Sequence, residues 1–207
     1  MSITLQNLGR RYNREWIFRR LDYTFSLGKK YAVLGPNGSG KSTLLKVLSG
    51  SLAPSEGKIA YEDKDIQPIL PEDVFQQLTI AAPYMELIEE FTLRELIAFH
   101  FKFKSYLPGF DLDEVVRTLQ LEKAVDKEIR FFSSGMKQRV KLALACCSSS
   151  SIVLLDEPMS NLDVAGEDWY LSLIGHTMQA NRVLIIGSNQ QKEYGFCDEQ
   201  INIMSYK

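Results

Sequence analysis

Three glycines, a lysine and three hydroxyl residues stand in fixed spacing within Gly35-Pro36-Asn37-Gly38-Ser39-Gly40-Lys41-Ser42-Thr43. Together these residue types do one kind of chemistry. Gly35, Gly38 and Gly40 let the backbone fold tightly, so that successive N–H groups face an anion. The run Thr43-Leu44-Leu45-Lys46-Val47-Leu48 reads as a helix whose positive end points at the same place. Lys41 adds a full charge, and the Ser42 hydroxyl is a ligand for a divalent cation. The pattern G-x-x-x-x-G-K-[ST] is that of a phosphate-binding loop, so all nine residues 35–43 are candidate phosphate contacts. Lys30–Leu34 reads as the buried strand that must lead into such a loop. The plainer alternative is a glycine-rich turn before an ordinary helix.

A second constellation is Ile152-Val153-Leu154-Leu155-Asp156-Glu157-Pro158. An apolar strand that ends in Asp-Glu carries two carboxylates to the rim of a sheet. Asp156 is placed to hold Mg²⁺ with Ser42, and Glu157 to polarise an attacking water. Hydrolysis of a terminal phosphate needs this division of labour. A third is Phe132-Ser133-Ser134-Gly135-Met136-Lys137-Gln138-Arg139, shortly before it. Ser133 and Gly135 at a helix start offer hydroxyl and N–H donors to phosphate; a plain helix cap is the simpler reading.

These motifs, followed by Ser160-Asn161-Leu162-Asp163, occur in an order that resembles the ABC-type ATPases, the nucleotide-binding subunits of ABC transporters. The resemblance covers essentially the whole chain. It implies a P-loop NTPase of α/β class, with a RecA-like core, an N-terminal antiparallel β part and an inserted helical subdomain. It implies ATP and Mg²⁺ as ligands, with Lys41 and Glu157 catalytic and Asp156 and Ser42 on the metal. Ser133-Ser134-Gly135-Met136 then matches the family's signature loop, which faces the phosphate held by the other subunit. Asp163 matches the loop that crosses the dimer interface. Tyr12 stands where family members carry an aromatic that stacks on adenine, with Trp16 as a second candidate; a ring there needs only position.

Two departures from the family pattern stand out. After Leu184-Ile185-Ile186-Gly187 the family usually has a histidine; here Ser188 leads to Asn189. Asn189 can donate to a γ-phosphate but carries no proton or charge near neutral pH, so slow turnover is expected. His100 and His176 read as ordinary helix residues. A glutamine usually follows the strand that ends near Ala81, yet the chain reads Ala81-Ala82-Pro83-Tyr84-Met85-Glu86. Gln76 and Gln77 come too early.

The elements that must position these residues follow from pattern. The 207 residues suit one domain, with a core of 1–83 and 148–207 and a helical subdomain of 84–147. Residues 1–34 alternate as strands. Val74–Ala82, Ile152–Leu155 and Val183–Gly187 read as further strands. Leu87–His100, Leu112–Leu121, Met136–Cys147 and Gly166–Gln179 read as helices. The formal charge of −2, from 24 basic and 26 acidic residues, argues against a nucleic-acid-coating protein, and no nucleic-acid partner is expected. No apolar run reaches the roughly 18 residues of a membrane span, and no secretion signal is evident. Cys146, Cys147 and Cys197 lack metal-ligand spacing and fit free thiols in a reducing compartment.

The resemblance then implies an ATPase subunit that works as a homodimer or as a heterodimer with another ABC ATPase subunit. It would drive a separate integral membrane permease from the cytoplasmic, inner face of the cell membrane. Chain length and Ser-Ser-Gly-Met-Lys-Gln-Arg look most like heme-exporter and ABC-2-type export subunits. Aromatics between 84 and 110 (Tyr84, Phe101, Phe103, Tyr106) are expected to face the permease. A soluble ABC ATPase of an assembly machine and a weakly hydrolysing regulatory module are the alternatives.

Overall fold

The structure is a computed structural model and describes all 207 residues. In chain order its strands are β1 (Ser2–Tyr12), β2 (Glu15–Ser26), β3 (Lys30–Leu34), β4 (Glu56–Glu62), β5 (Pro68–Ile69), β6 (Leu78–Ala81), β7 (Ile152–Asp156), β8 (Val183–Ser188) and β9 (Glu199–Asn202). Its helices are α1 (Lys41–Leu48), α2 (Val74–Gln77), α3 (Leu93–His100), α4 (Leu112–Leu119), α5 (Ser134–Cys146), α6 (Val164–Thr177) and α7 (Gln191–Tyr194). Two compact units result. The first holds Met1–Ile80, Ser151–Glu157 and Gln179–Lys207; the second holds Ala81–Ser150 and Pro158–Met178.

The first unit is built on two sheets. One is antiparallel, in the order β2-β1-β4-β5. The other runs β6-β7-β8-β3-β9, and β7, β8, β3 and β9 are parallel neighbours. Ile152, Val153, Leu154 and Leu155 are all fully buried, as a parallel strand covered on both faces requires. Register decides where the chemistry emerges. Leu34 lies opposite Ser188, and Asp156 opposite Gly187. Gly35, Glu157 and Asn189 therefore leave the sheet at one edge, beyond the carboxyl ends of three adjacent strands, where open α/β sheets bind ligands. Leu44, Leu45 and Leu48 of α1 pack into the core with Phe18, Phe25 and Tyr31.

The second unit is helical, and its helix starts are capped as their sequences dictate. Thr92 and Glu95 form a reciprocal capping box at α3. Asp111, Ser133 and Asp163 cap α4, α5 and α6 through their side-chain oxygens. Helix α5 packs against both α4 and α6, and Trp169 Nε1 donates to the Thr118 carbonyl at 2.7 Å to tie α6 to α4.

Several element boundaries differ from the sequence expectation. The helix expected over Leu87–His100 begins only at Leu93. Residues before it spend their carbonyls elsewhere: Glu89 O accepts from Arg130 N at 3.0 Å and Phe91 O from Ile129 N at 2.9 Å. The expected strand Val74–Ala82 is a short helix for its first four residues, so Gln76 and Gln77 lie on α2 rather than at a strand start. Phe101 and Tyr106, expected to face outward, stack on each other at 3.7 Å and 17°. Phe99 takes their place among the exposed aromatics, with Tyr84 and Phe103. The segment after Asn189, unassigned in the sequence, forms α7, β9 and a terminal turn. No helix is long and apolar enough to cross a membrane. The three cysteines are free thiols.

Candidate nucleotide-binding site

The phosphate loop joins β3 to α1 with Gly40 at the helix cap in a left-handed conformation, φ 110°. A Cβ at Gly40 would stand 2.4 Å from Cγ2 of Ile17 on β2, so only glycine fits. Lys41 is 3% exposed, and its ammonium curls back into the loop, donating to the carbonyls of Gly35 at 2.8 Å and Pro36 at 3.2 Å. The buried Ser39 hydroxyl makes no hydrogen bond within the protein. Pro36, Asn37 and Gly38 form the exposed lip of the loop, while Ser42 and Thr43 sit half-buried in the first turn of α1.

Asp156 ends β7 against this turn. It is 1% exposed, and its Oδ1 has no hydrogen-bond partner. Burial pushes its pKa up. A hydrogen bond from Ser42 pulls the other way, Glu157 adds repulsion, and Lys41 and Lys46 partly offset it. A desolvated carboxylate with a free oxygen beside a serine hydroxyl is what a divalent cation would satisfy. No cluster of three or more His, Cys, Asp or Glu exists to hold a metal alone. This donor set fits Mg²⁺, which takes one or two protein oxygens and completes its shell with phosphate and water. Held by Asp156 and Ser42, Mg²⁺ would neutralise negative charge that develops on the phosphates.

Glu157 follows in the left-handed region, φ 43°, with its N–H donating to the Gly187 carbonyl at 2.8 Å. Non-glycine residues held there store strain, which persists where the surroundings over-determine it. Asn189 is exposed beyond β8, and its amide donates to the Asn37 side chain of the phosphate loop at 2.9 Å.

Tyr12 ends β1, paired with Glu15 across the hairpin whose next residues include Ile17, the neighbour of Gly40. The residue is 43% exposed. Trp16 packs instead over the position of Gly9 and beneath the guanidinium groups of Arg11 and Arg19. It is half-buried.

Ser133, Gly135 and Asp163 belong to the second unit. Ser133 Oγ accepts from Met136 N at 3.2 Å, and Asp163 Oδ1 from Gly166 N at 2.8 Å. A Cβ on Gly135 would come within 3.0 Å of the Asn161 carbonyl, so the two motifs touch each other. Gln138, fully inside, donates to Pro158 O at 2.9 Å and fastens α5 to the same loop. At the place of the missing glutamine, Lys141 reaches the Pro83 carbonyl at 3.1 Å.

Some contributors were not singled out from sequence. Gly187 leaves room for Asp156: a Cβ there would meet Oδ1 at 2.9 Å. A glycine interrupting the apolar run before Asn189 was the available signal. Glu193, buried on α7, accepts from the Ser188 hydroxyl, which in turn accepts from Gln190 N at 2.9 Å. This braces the turn that carries Asn189, and no local pattern announced it.

The family model described as ABC transporter matches residues 18–160. A spermidine/putrescine import ATP-binding protein of Mycoplasma capricolum is 34% identical over 165 residues, 78% of this chain and 46% of that protein. The chain thus spans about half the length of the first curated relatives it matches. Among solved structures, a bacterial Atm1-family ABC exporter with ATP bound matches at TM-score 0.81 and 25% identity, over 98% of this chain and 37% of that one. The ATP-binding subunit of an ABC transporter matches at TM-score 0.82 and 22% identity, over 98% of this chain and 86% of that one. Because the family match spans most of the chain and takes in the phosphate loop, the Ser133 loop and the Asp156–Glu157 pair, the chain belongs to the ABC transporter family.

Proposed function

We propose that the chain hydrolyses ATP at two composite sites of a dimer and so drives a separate integral membrane permease. The observation that carries this reading is the sheet edge. Buried Asp156 offers an unpartnered oxygen beside Ser42, and Glu157 is held next to it in a strained backbone conformation. Residues 35–43 cradle the phosphates, all but Pro36 offering an N–H group, and Lys41 neutralises the terminal ones. Glu157 orients and deprotonates the attacking water. Asn189 donates to the γ-phosphate. Ser133 and Gly135 serve the site on the other subunit, whether that is a second copy or a different ABC ATPase, and Asp163 aligns the two. Tyr12 stacks on adenine. The working unit is one domain, 1–207, with 84–147 as its helical subdomain, carried on the inner face of the cell membrane by its permease.

Export is the direction we assign, from the likeness of Ser133-Ser134-Gly135-Met136-Lys137-Gln138-Arg139 to export subunits. Import is the second reading, favoured by the name of the Mycoplasma relative.

Glu157→Gln tests the core of the proposal. The amide keeps the shape and loses the base. ATP binding should persist while turnover falls on the order of 10²-fold or more. The variant should run as a dimer on gel filtration with ATP and as a monomer without it. Hydrolysis at the wild-type rate would remove Glu157 from the mechanism.

A further inference from the structure

The stacking role given to Tyr12 leaves open what holds its ring. A tyrosine at the end of a strand has two free torsions, and fixing them on binding costs affinity. The structure supplies a fixture. The Arg10 guanidinium carbon lies 4.7 Å from the Tyr12 ring centroid. Arg10 is itself anchored, its Nη1 donating to the Ala53 carbonyl at 3.1 Å. Its Nε is buried and makes no hydrogen bond in the protein. The planar group lies against the tyrosine without a carboxylate to draw it away. The contrast with Trp16 is instructive. That ring carries two guanidinium groups, and one of them, Arg19, is locked to Glu56 at 2.7 and 3.0 Å. Trp16 is half-buried beneath two guanidinium groups, whereas Tyr12 has one and is 43% exposed.

We propose that Arg10 is a positioning residue for the nucleobase: it sets the plane of the Tyr12 ring from behind and leaves the other face for the purine. A cation held over one face of a ring is attracted by its quadrupole, so the ring resists tilting. It also draws electron density from the open face, which favours a stacked, electron-rich base there. The inference rests on the reading of Tyr12 as the stacking residue.

The test compares ATP with tripolyphosphate, which has the phosphates and no base. Tyr12→Ala should raise KM for ATP about 10-fold or more while kcat stays within about twofold. Arg10→Ala should raise it about 3- to 5-fold with the same kcat. Inhibition by tripolyphosphate should be unchanged in both, because Gly40 and Lys41 are untouched. Arg10→Lys, which keeps the charge and loses the plane, should fall between wild type and Arg10→Ala. In the double variant the two losses should not multiply, because Arg10 acts only through the ring. An Arg10→Ala KM equal to wild type, with Tyr12→Ala impaired, overturns the Arg10 proposal and leaves the stacking reading intact. Equal weakening of tripolyphosphate, or multiplying losses, overturns it too. A wild-type KM in Tyr12→Ala sinks both readings.

Discussion

At the scale of single residues, Asn189 is the proposed donor to the γ-phosphate, at the position where the family resemblance implies a histidine. In the structure its amide is bound to Asn37 on the lip of the phosphate loop. That bond must open, or rotate, for Asn189 to reach a γ-phosphate. An amide is a neutral donor at every pH near neutrality, so turnover should lack the titration that a histidine there brings. Asn189→His should raise kcat and introduce a pH dependence near the ordinary histidine range, while ADP affinity stays within about twofold. Steady-state rates from pH 6 to 8, with ADP binding by calorimetry, check both halves. A tenfold change in ADP affinity with unchanged turnover would show that position 189 does not face the γ-phosphate. Gly187 matters at the same scale for a steric reason, since any side chain there meets the Asp156 carboxylate.

At the scale of elements, the end of α3 is buttressed by a half-buried histidine, His100. Ser148 Oγ donates to the Leu144 carbonyl at 2.6 Å, so it must accept from His100 Nε2, 2.9 Å away. Burial, then repulsion from Lys104, lowers the His100 pKa to about 4, against a smaller opposing effect of the Leu144 carbonyl. The consequence for stability has a definite sign. Above the ordinary histidine value both folded and unfolded chains are neutral there, and nothing is lost. As pH falls below it, the unfolded chain takes up a proton that the folded chain refuses until about 4. Stability should therefore drop through that window, by about 2 kcal/mol between pH 7.5 and 5. His100→Gln keeps a donor and removes the titration. Urea unfolding of the variant should show a correspondingly smaller loss over this range; identical pH profiles for the two proteins would refute the assignment. Short-range signals governed this element well at its start, where Thr92 and Glu95 form the cap, and poorly upstream, where pairing with residues 128–130 displaced helix.

At the scale of the whole molecule, the proposed partner is a membrane protein. Tyr84, Phe99 and Phe103 are exposed in the second unit, and Phe91, Phe99 and Phe103 form an edge-to-face series at 5.5 and 5.3 Å. Large aromatics anchor interfaces because each buries much area for few torsions. Affinity purification from gently solubilised membranes should recover a multi-span protein with the wild-type chain. Tyr84→Ala and Phe103→Ala should weaken that recovery while keeping the melting temperature within about 2 °C, because both residues lie at the surface, Tyr84 46% and Phe103 73% exposed. Recovery of soluble partners alone would favour an assembly machine over a transporter. The identity of the recovered permease would also decide between export and import.

What the sequence determined by itself was local. Residues 35–43, the apolar run into Asp156-Glu157 and the Ser133–Gly135 cap are contiguous patterns, and each carries its chemistry within a few residues. Family membership and fold class could be read from their order. Alternation and apolar runs also placed the strands that flank the site. What only the tertiary structure decided was which distant residues meet. The order β7-β8-β3 brings Gly187 against Asp156 and Asn189 against Asn37. The hairpin of β1 and β2 sets Arg10 over the Tyr12 ring and Arg19 over Trp16. Phe101 and Tyr106 stack on each other, although the family resemblance implied that they face a permease. The reason is physical. Periodicity reports how a segment divides between core and solvent, but its partners are fixed by sheet order and register, which come from packing summed over the whole chain.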